Sequence, residues 1–94
     1  MIAGYRDKRT RNFAAGMRER AFEGFERAAR LKLDRLDVAT SLSDLAALPG
    51  NCFEVLSGDR KGQCSIRIND RWRICFKWPD TDPSPSYVEI VDYH

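Results

Sequence analysis

Apolar residues recur every three to four positions up to about Gly50 and every second position beyond it, so the chain divides into a helical part and a sheet part. The opening "MIAGYR" reads as a short strand. The spacing then predicts a helix between Asp7 and Gly16, with Phe13 and Ala14 on its buried side and Gly16 as its stop. A longer helix is expected over 18–38, where Phe22, Phe25, Ala29, Leu33 and Leu36 form one stripe. Its opposite face is charged, and Glu23 and Arg27 are spaced for an i,i+4 pair. Residues 40–48 suit a short helical turn ended by Pro49-Gly50.

In the second half, "CFEVL", "QCSIRIN", "WRICFKW" and "YVEIVDY" read as strands, and "SGDRKG" as a loop. "PDTDPSPS" is a second loop, because its three prolines cannot donate to a ladder. The central hairpin permits a register argument. A two-residue turn at Asn69-Asp70 would pair Ile68 with Arg71 and Ile66 with Arg73, setting arginines on the face that the isoleucines bury. A three-residue loop of Asn69, Asp70 and Arg71 instead pairs Ile68 with Trp72, Ile66 with Ile74 and Cys64 with Phe76. One face is then apolar throughout. The other sets Arg67 directly across from Arg73, with Lys77 further along the same strand. Like charges so placed either splay into water or grip a common anion.

Ninety-four residues predict one domain, 1–94, without need of a metal or disulfide staple. No apolar run reaches the length of a membrane span or a secretory signal, so the cytoplasm is the expected compartment and no membrane partner is expected. Cys52, Cys64 and Cys75 lack CxxC spacing and read as buried free thiols. The net charge of +2 hides an uneven distribution. Residues 57–77 hold six Lys/Arg against two acids, whereas 79–94 hold four acids and no Lys or Arg. A basic middle beside an acidic tail suits a polyanion-binding surface.

Nucleotide-binding and metallopeptidase motifs are absent, and a single histidine, His94, offers no cluster for a transition metal. No metal and no cofactor are expected. If the last strand pairs beside 72–78, the terminal Asp92, Tyr93 and His94 adjoin the arginine row. A carboxylate, a phenol and an imidazole beside guanidinium groups suit cleavage of RNA by its own 2′-hydroxyl. That reaction needs a base, an acid, positive charge at the phosphorane, and a ring to stack on a splayed base.

"LSGDRKGQCSIRINDRWRICFKW" followed by "VEIVDYH", with "LDRLDVATSLSDL" and "PGN" before them, resembles the HigB/GraT-type killer toxins of the RelE superfamily. The resemblance covers nearly the whole chain. It implies an α+β fold, with two N-terminal helices packed on a twisted, mostly antiparallel sheet. It also implies a ribosome-dependent mRNA interferase that cuts translated mRNA in the A site. Its implied partner is a helix-turn-helix HigA-type antitoxin, with operator DNA reached only through that antitoxin. Matching residues are Arg73 for the scissile phosphate and Asp92, Tyr93 and His94 at the terminus. Arg60 and Lys61 match a basic loop that grips mRNA or ribosomal RNA, a role to which Arg67 and Lys77 are added from their place on the strand face. Glu54 stands where well-studied members have histidine, and Ser57 where they have lysine. Glu54 is thus either the base, with His94 as acid, or an orienting partner for an arginine, with His94 as base. A reading of another class is a non-catalytic basic module that binds RNA, the ribosome or an antitoxin as corepressor.

Overall fold

The structure is a computed structural model that describes residues 1–92. Among these residues, helices α1 (Lys8–Ala14), α2 (Glu26–Val38) and α3 (Leu42–Ala46) precede strands β1 (Glu54–Val55), β2 (Cys64–Arg67), β3 (Trp72–Lys77) and β4 (Ser86–Asp92). The strands form one antiparallel sheet in the order β1-β2-β3-β4. The α+β class expected from the resemblance is the class observed.

The hairpin register is the one with the three-residue loop. Cys64 faces Phe76, Ile66 faces Ile74 and Arg67 faces Arg73, while the Ile68 N–H donates to the Trp72 carbonyl at 2.9 Å. Asn69 shapes the turn, its Oδ1 accepting from the N–H groups of Arg71 and Trp72. The even-numbered side chains Ile66, Ile74, Phe76, Val88 and Ile90 meet Phe13, Phe22, Ala29, Leu33 and Leu36 in one core. All but Leu33 of these ten are inaccessible to solvent. Trp72 extends the core at one end by stacking on Phe25, with ring centroids 5.0 Å apart.

Helix α1 starts where Asp7 accepts from the Thr10 N–H, and Gly16 follows its end at φ +102°. The long helix expected over 18–38 is broken. Residues Arg20–Phe22 form a 3-10 turn, Gly24 adopts φ +94°, and α2 begins at Glu26. The apolar stripe survives because the turn aims Phe22 and Phe25 at the core, which a period count does not distinguish from one helix. Glu23 accordingly pairs with Arg18 instead of Arg27.

Two strand expectations are also corrected. The segment "CFEVL" contributes only the two residues of β1. The opening residues make no strand but a parallel bridge, Tyr5 to Val88, with the Ala3 and Arg6 N–H groups donating to the carbonyls of Pro85 and Val88. That segment covers the outer edge of β4, where unpaired backbone groups would otherwise invite another chain. Buried Thr10 continues the cover, its hydroxyl oxygen accepting from the Ile90 N–H at 3.1 Å. Thr10→Val should therefore leave a buried donor without its acceptor and lower stability by about 1–3 kcal/mol, read from the urea midpoint at unchanged m-value.

Candidate nucleic-acid interface

Alternation along the strands puts Glu54, Ser65, Arg67, Arg73, Cys75, Lys77, Glu89 and Val91 on the sheet face opposite the core. Arg73 is nearly buried there, 9% exposed. Its Nε donates to Ser65 Oγ at 2.8 Å and its Nη2 to the Cys52 carbonyl at 2.5 Å, with Glu54 Oε1 4.0 Å from Nη1. The first two acceptors are neutral, so they aim the guanidinium without cancelling its charge.

The Cys52 carbonyl is placed by the "PGN" turn. Residues Pro49–Asn51 form a 3-10 turn, after which Cys52 takes φ 44°. Buried Asn51 pins the turn from within, its Nδ2 donating to the Leu45 carbonyl and its Oδ1 accepting from Lys32 Nζ at 2.7 Å. Helix α2 thereby reaches through the turn to the arginine on the far side of the sheet. Cys64 and Cys75 are buried free thiols as expected, but Cys52 is exposed.

Arg67 does not share its neighbour's ligands. It folds back over the hairpin loop, with Nε on the Asn69 carbonyl and Nη2 on Asp70. The two arginines thus diverge from facing Cα positions, which relieves their repulsion without turning both side chains into water. Arg60 lies across β4, donating to Glu89 Oε1 at 2.9 Å and to Gln63 Oε1 at 3.2 Å, while Arg6 approaches the other Glu89 oxygen at 3.7 Å. Lys61 is exposed beside the Gly58–Arg60 turn, and Lys77 Nζ sits 4.9 Å from the centre of the Tyr87 ring. Glu54 is exposed on β1, with its carboxylate 4.0 Å from Arg73 Nη1.

Asp92 faces Trp72 at the end of β4, one position beyond the Arg73–Val91 pair. Its carboxylate receives Arg71 through Nε at 2.9–3.0 Å and Nη2 at 2.8 Å. That hydrogen bond, and then the charge of Asp92, pushes the Arg71 guanidinium up. Tyr93 and His94 lie outside the described residues. Sequence reasoning missed Ser65 and Glu89 as members of this surface, and counted Arg71 among its basic residues without its partner Asp92. The ladders on either side of β3 place them, β2 setting Ser65 and β4 setting Glu89 opposite Cys75, with Asp92 beside the hairpin loop. Among the described residues, no group of three or more His, Cys, Asp or Glu is placed to hold a metal ion, and no helix is long and apolar enough to cross a membrane.

The molecule is thus a small α+β protein whose sheet carries its helices on one face and an arginine-rich charge network on the other. Residues 5–94 match the family model described as the RelE-like toxin of type II toxin-antitoxin system HigB. Toxin HigB-1 of Vibrio cholerae serotype O1 is 45% identical over 68 residues, 72% of this chain and 72% of that protein. An uncharacterized protein of Haemophilus influenzae is 27% identical over 63 residues, 67% of this chain and 62% of its own length. The chain belongs to the HigB family of RelE-like toxins, the toxin half of type II toxin-antitoxin systems. An antitoxin partner follows from that membership.

The two buried thiols, Cys75 on this face and Cys64 on the core side, give the protein a pH signature. Burial pushes Cys75 up, with Arg60 opposing and Glu89 reinforcing, and burial alone pushes Cys64 up. Tyr5 is raised by burial and then by Asp37. A raised folded value stabilises fully below the unfolded one and is lost as pH climbs through it. Lys32 has the opposite sign, lowered by burial first and then by Arg35, so its share grows as pH rises towards 10.5. The two thiols therefore lose their contribution to stability as pH rises above the ordinary thiol value of 9.0, before the tyrosine and the lysine reach their ordinary values of 10.0 and 10.5. Urea midpoints measured across that range should fall, and Cys75→Ala should make the fall shallower.

Proposed function

We propose that this toxin is a ribosome-dependent endoribonuclease that cuts translated mRNA in the A site by attack of the RNA's own 2′-hydroxyl. The observation that carries the reading is Arg73, a nearly buried guanidinium aimed by Ser65 and the Cys52 carbonyl on a sheet face that bears no helix-packed core. An arginine oriented before substrate arrives stabilises the charge that develops on a phosphorane without reorganising at that moment.

Glu54, beside Arg73, takes the 2′ proton, and His94 protonates the departing 5′ oxygen. Tyr93 stacks on the splayed base, and Asp92 orients Arg71 at the end of β4. Arg60, Lys61, Arg67 and Lys77 bind the RNA backbone of message or ribosomal RNA. With few titratable groups of its own, the toxin relies on the ribosome to hold the scissile bond in line. It acts in the cytoplasm, where a helix-turn-helix HigA-type antitoxin restrains it and carries the pair to operator DNA.

Primer extension on mRNA in a translating extract tests the assignment. Arg73→Ala should slow cleavage about 100-fold or more, and Glu54→Gln by a similar factor. Removing His94 should abolish the product while the melting temperature holds. Equal cleavage by all of these proteins would leave the chain a binding module instead of a nuclease.

A further inference from the structure

Strand β4 contains a fault that places an aromatic ring on the charged face. Lys77 pairs with Ser86 and Cys75 with Glu89, so the single residue Phe76 stands opposite two, Tyr87 and Val88. The extra residue makes a β-bulge, a device that re-aims a side chain beside functional surfaces. Its conformation is costly for the residue that holds it. Tyr87 has φ 52°, a left-handed value that glycine adopts freely and a bulky side chain rarely does. The core explains why the bulge exists, since it lets Val88 be fully buried and exchange backbone hydrogen bonds with Gly4 and Arg6. It does not explain a tyrosine, because the ring is 56% exposed and outside the core cluster.

The surroundings of the ring supply a reason. Tyr87 forms one wall of an open depression of about 410 Å³, lined also by Arg6, Asp59, Lys61, Gln63 and Lys77. Three cations face one carboxylate there. Lys77 lies over the ring at 4.9 Å, and the Arg6 side chain is 52% exposed. Glu89 ties Arg6 to Arg60 and so connects the depression to the rest of the face. Lys77 is four residues beyond Arg73 on the same strand face, roughly 13 Å away at the rise of an extended strand. A flat exposed ring flanked by cations suits an unpaired nucleotide, with the base stacked on the ring and the phosphate held by ammonium and guanidinium groups.

We propose that Tyr87, Lys77, Arg6 and Lys61 form a nucleotide-binding subsite separate from the cleavage site, which takes one unpaired RNA nucleotide, its base on Tyr87 and its phosphate on the cations. The proposal rests on the RNA-cleaving reading of the Arg73 face and extends the bound strand beyond it. The nucleotide belongs either to the message or to ribosomal RNA, whose chemistry here is the same.

The test separates binding from cleavage by using a short 2′-O-methyl oligoribonucleotide, which cannot be cut, carrying 5-iodouridine for photocrosslinking to aromatic rings. The wild-type protein should crosslink at Tyr87. Tyr87→Phe should bind within about twofold of wild type, and Tyr87→Gly should bind about ten-fold or more weakly, because stacking is lost. Tyr87→Gly should also melt no lower than wild type, since glycine suits φ 52°. A ring kept only for structure would give the reverse, lower stability with unchanged binding, and would overturn the subsite. So would a crosslink mapped elsewhere. Arg73→Ala should retain the Tyr87 crosslink, so failure of the cleavage reading leaves this result standing. The same iodouridine placed in a ribosome-bound message should crosslink to Tyr87 if the nucleotide is from mRNA. A crosslink to the free oligonucleotide alone assigns it to ribosomal RNA.

Discussion

Two arginines facing each other across the central ladder constrain much of what this chain does. Pairing Ile66 with Ile74 buries one face of the hairpin, and the period of two then sets Arg67 opposite Arg73 on the other. Like charges directly opposed cost some tenths of a kcal/mol to about 1 kcal/mol, far less than the burial of two isoleucines contributes. The core therefore wins and the arginines must be accommodated. They are separated by giving each its own oxygens, Arg73 towards Ser65 and Cys52, Arg67 towards the hairpin loop.

That accommodation reaches well beyond the two side chains. The Cys52 carbonyl is available only because the turn before it is held by Asn51, and Asn51 is held by Lys32 from α2 and by the end of α3. A lysine so little exposed loses solvation, which is why its ammonium is lowered, and its hydrogen bond to the amide oxygen offsets part of that loss. The helical layer and the charged face are thus mechanically one unit although the sheet lies between them.

The same logic governs β4. As an edge strand it needs cover, which the opening segment and Thr10 provide. Reaching that cover while burying Val88 requires the bulge, and the bulge turns Tyr87 outward beside Lys77. Glu89, two residues on, joins Arg6 and Arg60 through one carboxylate. Two cations share that one anion, so the network is ordered.

The register of the hairpin was legible in the sequence, because a one-residue slip would have buried Arg71 and Arg73 in place of Trp72 and Ile74. The placing of Arg67 and Arg73 on one face was legible too, through the alternation of the paired strands. The break at Gly24 was not, since Phe22 and Phe25 keep helical spacing while reaching the core from a turn. Nor were the partners of the arginines. Local pattern decides which face a side chain occupies, whereas its ligands come from residues far along the chain, Cys52 for Arg73 and Glu89 for Arg60, and only tertiary packing brings these together.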